Sequence, residues 1–257
     1  MKKIKQIMNK KNKSKIVCLT AYSKNIAEIV DDHADIVLVG DSLGSVLYNY
    51  DTTRKVSLNM MIEHTKSARM GVKKSLLVID LPYNTYRSKS EALKNSKRAI
   101  KETKCDAVKV EGGTRVKEIV KHLIKNRIPV LGHIGVTPQT TKGKFRSKGK
   151  NESEKKKLLK DAQDLEKSGA FGIVLECIYS DISKKITNLI NIPTIGIGAS
   201  VNCDGQVLVT DDLIGLNETK FRFVKKFGNI KKDIKSAVIK YKNSVKQKKF
   251  PSKKNSY

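Results

Sequence analysis

Seven short apolar runs, separated by stretches with helical patterning, set the limits on what this chain can fold into. They occupy residues 16–20, 35–41, 75–80, 107–111, 128–133, 172–176 and 192–198. Most are β-branched and uninterrupted. Strands buried on both faces read this way, because a parallel sheet covered by helices has no polar side to alternate with. The intervening segments 24–34, 57–70, 90–103, 114–126, 152–168 and 181–190 carry apolar residues at helical spacing. Ser90 and Thr114 stand where N-caps are expected, and Gly71 and Gly169 where helices should stop.

A strand followed by a helix of ten or more residues is the crossover unit of a parallel α/β fold, and eight such units close into a barrel of roughly 250 residues. The 257 residues here match that closure. The expected fold is therefore α/β, a (β/α)8 TIM barrel, as a single domain over residues 1–246 with a lysine-rich, mobile tail at 247–257. A doubly wound open sheet would place glycines in its first strand-to-helix turn, and LTAYSKN contains none. The eighth strand is expected at 221–224, with 201–215 as the crossover and 230–245 as the last helix. The apolar run 206–209 is set aside, because a parallel crossover needs about a dozen residues and too few separate it from the seventh run. A polar, glycine-containing stretch at 141–157 reads as a mobile loop on the active-site side.

The net charge of +28 comes from 53 basic and 25 acidic residues, but only eight of the basic residues are Arg and 45 are Lys. Spread over helices and loops, this resembles a compositional drift more than a nucleic-acid footprint, which would favour Arg interleaved with aromatics. Nucleic acid is not an expected partner. Cys18, Cys105, Cys177 and Cys203 form no CxxC pair, so neither a zinc site nor a disulfide framework is expected. The basic N-terminus lacks the apolar core of a signal peptide, and no run approaches the roughly 18 apolar residues of a membrane span. A cytoplasmic protein with no membrane partner is the expectation.

In a closed parallel barrel, catalytic groups come from the C-terminal ends of different strands, which converge on one mouth. The charges fall there. The second run ends in Asp41-Ser42, the third in Asp80, the fourth carries Lys109 and Glu111, the fifth ends in His133 and the sixth in Glu176. Several carboxylates gathered in one buried place need a cation, a proton or a lysine to offset their repulsion. Oxygen donors without a Cys or His cluster favour Mg²⁺, which takes one or two carboxylates and keeps waters and substrate oxygens. Lys109 and Glu111, two apart, point to the same side of a strand. Gly112 and Gly113 after them can bring backbone N–H groups toward an anion. IGIGAS at 195–200 lacks GxGxxG spacing and is not a nucleotide loop.

The blocks LTAYS, VGDSLG, IDLPYNTY, VKVEGG, GHIGVTPQ, IVLE, IGIGAS and DGQVLV occur in this order between residues 16 and 241. In them the chain resembles the ketopantoate hydroxymethyltransferase family of pantothenate biosynthesis. That resemblance implies transfer of a hydroxymethyl group from 5,10-methylenetetrahydrofolate to 3-methyl-2-oxobutanoate, giving 2-dehydropantoate through a Mg²⁺-stabilised enolate. It implies Asp41 and Asp80 as Mg²⁺ ligands that also meet the substrate, with Glu111 in or near the coordination shell. Ser42 and Lys109 would hold the 2-oxo acid, Glu176 would accept the proton, and His133 would lie beside the substrate. A homo-oligomer, a decamer built of pentameric rings, is also implied. Ser200, Asp211 and Asn49 depart from the family pattern; Asn49 stands where a glycine is usual.

Two rival functions fit parts of the sequence. One is another metal-dependent 2-oxo acid lyase or mutase of the phosphoenolpyruvate and pyruvate type on the same barrel. The other is a non-enzymatic polyanion binder using residues 225–257, which hold twelve Lys against one Asp.

Overall fold

A computed structural model describes residues 2–141, 145–218 and 221–257. Among them, eight parallel strands close into a barrel in sequence order: β1 (Ile16–Thr20), β2 (Ile36–Val39), β3 (Leu76–Asp80), β4 (Ala107–Glu111), β5 (Val130–Gly135), β6 (Gly172–Glu176), β7 (Thr194–Ile197) and β8 (Gly205–Leu208). The expected (β/α)8 architecture is observed. The helices are α1 (Lys2–Met8), α2 (Lys24–Asp31), α3 (Leu43–Tyr48), α4 (Leu58–Gly71), α5 (Lys89–Thr103), α6 (Lys117–Lys125), α7 (Glu152–Lys167), α8 (Ser180–Leu189), α9 (Thr210–Leu213) and α10 (Ile230–Lys246).

Strand alternation divides the core in two. Ile16, Cys18, Ile36, Leu38, Leu76, Val78, Ala107, Leu131, Val174, Ile195 and Val207 form one buried cluster with Ile4 and Ile7 of α1, so α1 packs its apolar residues against the barrel interior. The other strand faces, with Val37, Leu77, Ile79, Val108, Val110, Ile173 and Leu175, pack among apolar residues of the helices. Each run is apolar on both faces for this reason.

The expected eighth strand at 221–224 is corrected. β8 is Gly205–Leu208, paired with β7 on one side and β1 on the other, so no free barrel edge is left for 221–224. Residues Phe221 to Val224 form a turn, with the Val224 N–H donating to the Phe221 carbonyl. The dozen-residue rule assumes a helix in the crossover. Here strands of four residues, roughly 13 Å long, are joined by a link of seven, which extended could reach roughly 23 Å. Asp204 organises it: its Oδ2 accepts from the Thr194 N–H at 2.8 Å and from Lys11 Nζ at 2.9 Å.

Two capping expectations are also corrected. Ser88, not Ser90, caps α5, accepting from the Glu91 N–H at 3.2 Å. Thr114 opens a 3₁₀ turn (Thr114–Val116) before α6 and is tied to α7 instead, its N–H donating to Asp161 and its hydroxyl to Asp164. Of the loop expected at 141–157, residues 142–144 lie outside the described residues; Lys148 makes an isolated parallel bridge to Ile178, and Asn151 caps α7. Asn49 ends α3 at φ 53°, a left-handed conformation that asparagine tolerates.

By contacts the chain divides into residues 1–209, the barrel with α1, and residues 210–257. The second unit contains α9 and α10; Asn229 caps α10 by accepting from the Lys232 N–H, and no residue of α10 is buried.

Candidate active site

The parity that buries the barrel interior also builds its mouth. Leu76, Val78 and Asp80 share one face of β3; Ala107, Lys109 and Glu111 share one face of β4; Leu131 and His133 follow on β5, Val174 and Glu176 on β6. The apolar members of each set belong to the interior cluster. The polar members crown it at the C-terminal ends. Register then pairs them across neighbouring strands, Asp80 with Lys109 and Glu111 with His133. Asp41 joins from the turn between β2 and α3.

Asp41, Asp80, Lys109, Glu111 and His133 are all buried, whereas the Glu176 side chain is 20% exposed and so open to a ligand entering the mouth. Lys109 Nζ donates to Asp80 Oδ1 at 2.7 Å, and Asp80 Oδ2 accepts from the Asp41 N–H at 3.0 Å. His133 bridges two acids, its Nδ1 3.3 Å from Glu111 Oε1 and its Nε2 3.3 Å from Glu176 Oε2. Neither contact has hydrogen-bond geometry, so both ring nitrogens are buried without a hydrogen-bond partner. Ser42 lies at the start of α3, its hydroxyl 2.8 Å from the Tyr22 hydroxyl.

Three residues here escaped the sequence reading. Gln139 donates its Nε2 to Asp41 Oδ2 at 2.8 Å and to the Leu81 carbonyl at 3.0 Å, and its backbone N–H to Glu111 Oε2 at 3.2 Å. The Tyr86 hydroxyl donates to Gln139 Oε1. Tyr22 is the third. Each lies in a block already singled out, GHIGVTPQ, IDLPYNTY and LTAYS, but an amide or a phenol carries no charge signature to mark it.

Four carboxylates face two cations, and the balance shows in the pKa directions of Asp41, Glu111, His133 and Lys109. Burial, then Asp80 and Glu111, push the Asp41 acid well above the usual carboxylate range. For Glu111, burial acts upward but is outweighed by His133, Lys109 and the Gln139 N–H, and the pKa is lowered. His133 is pushed up to about 9, burial being overcome by Glu111 and Glu176. Lys109 is also raised: burial opposes its charge, and Asp80, Glu111 and Asp41 outweigh it. A thiol nucleophile is not available next to Glu176, because burial and then Glu176 itself push Cys177 up to about 11.

The donors fit a small hard cation. The raised Asp41 acid is what an added positive charge beside Asp41 and Asp80 would reverse. Gly40 leaves room there: a Cβ at this position would stand 3.0 Å from Ser42 Oγ and 3.6 Å from Asp80 Oδ2. Among the described residues no group of three or more His, Cys, Asp and Glu is placed to hold an ion alone. Two carboxylates completed by water and substrate oxygens is the mode Mg²⁺ uses. Gly135, at φ 102°, shapes the far wall; a Cβ there would lie 2.2 Å from the Glu176 carbonyl, so β5 can close on β6 only with glycine.

The sequence profile of the family described as ketopantoate hydroxymethyltransferase matches residues 1–253. The chain is 61% identical over 256 residues to the 3-methyl-2-oxobutanoate hydroxymethyltransferase of Pelagibacter ubique, covering 100% of this chain and 99% of that protein. To the protein of the same name from Rhizobium etli it is 48% identical, covering 92% and 88%. Among solved structures, its fold is similar to that of 2,3-dimethylmalate lyase, a member of the PEP mutase/isocitrate lyase superfamily, with a TM-score of 0.62, 11% identity and coverage of 99% and 88%. A phosphonopyruvate hydrolase complex with oxalate and Mg²⁺ gives a TM-score of 0.61, 10% identity and coverage of 99% and 93%. At these identities the structural likeness is one of fold.

Proposed function

The chain belongs to the ketopantoate hydroxymethyltransferase family and is a transferase of pantothenate biosynthesis, and from that premise we propose that it joins the one-carbon unit of 5,10-methylenetetrahydrofolate to C3 of 3-methyl-2-oxobutanoate. In the balance, C3 loses a proton and gains a hydroxymethyl group whose oxygen comes from water, and tetrahydrofolate is released. Asp41 and Asp80 would hold Mg²⁺, with Glu111 in or beside the shell. When bound, the ion supplies Lewis-acid polarisation of the 2-oxo acid, which makes the C3 proton removable.

The observation that carries this reading is the Glu111–His133–Glu176 line set against Asp41, Asp80 and Lys109 at one mouth. Glu176, the exposed member, takes the proton at C3. His133 holds the Glu176 carboxylate on one side and Glu111 on the other, fixing the direction from which the base approaches. Lys109 balances Asp80 and, with Ser42, faces the carboxylate and oxo oxygens of the substrate. Asp41 and Gln139 tie that pocket to the β3 end through the Leu81 carbonyl.

By family resemblance the proposal extends to a cytoplasmic homo-oligomer, a decamer of two pentameric rings, which light scattering tests. No helix among the described residues is long and apolar enough to cross a membrane. The functional test is formation of 2-dehydropantoate from the two substrates by the purified protein, with and without Mg²⁺. Formation that requires the ion is expected; none under any metal condition would overturn the reading.

A further inference from the structure

A cavity of about 280 Å³ opens beside the mouth, between the loop after β3 and the start of α6. Its walls are the rings of Tyr83 and Tyr86, the aliphatic side chains of Val116 and Ile119, and the guanidinium groups of Arg87 and Arg115. Arg is scarce in this chain, eight residues against 45 Lys. Even so, two line this cavity and a third, Arg54, lies over the Tyr83 ring at 5.1 Å from its centre. Arg87 shares its charge with Glu91 at 3.2 Å. The Arg115 side chain makes no hydrogen bond or ion pair among the described residues.

Hydrogen bonds tie the cavity wall to the site. Tyr86 lines the cavity and donates its hydroxyl to Gln139, whose amide donates in turn to Asp41 Oδ2. Arg115 follows Glu111 by four residues, through Gly112 and Gly113. Two aromatic faces, an aliphatic floor and guanidinium forks suit a flat aryl ring that carries carboxylates. At near the lower limit of small-molecule pockets, roughly 300 Å³, the cavity takes one arm of a larger ligand, not the whole.

We propose that this cavity binds the benzoyl-glutamate arm of the folate co-substrate, with Arg115 and Arg87 receiving the glutamate carboxylates. This rests on the functional reading above. Once the one-carbon unit is at C3 of the 2-oxo acid, the rest of the folate must leave the mouth along a wall, and its anionic half is the aryl-glutamate arm. The pterin, being uncharged, gives the guanidinium groups no anion to pair with.

Calorimetric titration of tetrahydrofolate and of tetrahydropteroate, which is the same molecule without glutamate, tests this in the Mg²⁺-loaded protein with 3-methyl-2-oxobutanoate present. The wild-type chain is expected to bind tetrahydrofolate at least about tenfold more tightly, the scale of one charge-assisted hydrogen bond. In the Arg87→Ala/Arg115→Ala protein the ratio is expected to fall to near one, and Arg115→Lys to restore part of it. Both arginines are exposed, so the fold does not depend on them. Equal binding of the two ligands by the wild-type chain, or an undiminished preference in the double variant, overturns the proposal. A wild-type chain that binds neither ligand overturns the folate reading itself.

Discussion

Lys109 and Asp80 face each other across the β3–β4 pair, in register, with Nζ 2.7 Å from Oδ1 and both side chains closed to solvent. A pair this buried is costly to break from one side, because the survivor keeps its charge without a partner. Lys109→Ala is expected to destabilise the protein by about 3–5 kcal/mol in denaturant unfolding. Added Mg²⁺ should recover part of that loss, since a cation beside Asp80 replaces the missing charge. A variant as stable as the wild type, or indifferent to the ion, would show that Asp80 is compensated elsewhere.

Glu176→Gln keeps the size and shape of the side chain and removes its ability to accept a proton. Turnover is expected to fall at least about a hundredfold, on the scale of general-base losses. KM for the 2-oxo acid should change little, because Asp41, Asp80 and Lys109 remain. Steady-state kinetics separate the two constants, and near-normal kcat would remove Glu176 from the role of base.

Gln139 links three groups: Asp41, Glu111 and, through Tyr86, the wall of the adjacent cavity. Gln139→Ala strips a buried carboxylate of its amide donor, a loss of about 1–3 kcal/mol. Isothermal titration with Mg²⁺ should give a weaker ion affinity. Unchanged affinity together with unchanged stability would mean that water takes over the amide's place without penalty.

Acid should weaken the fold at the bottom of the barrel. Burial pushes the Asp204 carboxyl upward but is outweighed by the Thr194 N–H, Lys11 and the Asn12 N–H, leaving the pKa below its ordinary value. Asp31 is lowered too, burial being outweighed by the N–H groups of Ser75, Lys74 and Lys73. A carboxylate whose folded pKa lies below the unfolded value, about 3.9, contributes stability above that value and loses it as pH falls through the folded pKa. Urea unfolding should therefore show stability declining below about pH 4. Asp204→Asn should be less stable at neutral pH and decline less steeply. Parallel pH slopes for the two proteins would count against this.

The polar strand ends were legible because a buried parallel strand leaves little room for charge, so each of Asp80, Lys109, Glu111, His133 and Glu176 stood out against an apolar run. Lys109 and Glu111 could even be assigned to one face from their spacing. What stayed hidden depended on single side chains acting at a distance. The link into β8 is short because Asp204 bonds Thr194 and Lys11 in place of a helix, which no periodicity encodes. In α1, Ile4 and Ile7 are spaced among lysines and look like surface until the barrel interior receives them. Ser88 and Ser90 are equally good caps in composition; Glu91, three residues after Ser88, is the signal that favours the observed one.

Glu176 is proposed to remove the C3 proton of a 2-oxo acid held beside Asp41 and Asp80. Exchange of that proton can be followed by NMR in D₂O with 3-methyl-2-oxobutanoate and no folate. The wild-type protein should exchange it with Mg²⁺ present, lose the exchange in EDTA, and regain it on adding the ion back, while Glu176→Gln should not exchange it under any of these conditions. Exchange by Glu176→Gln at the wild-type rate, or none by the Mg²⁺-loaded wild type, would contradict the role of Glu176 as the base.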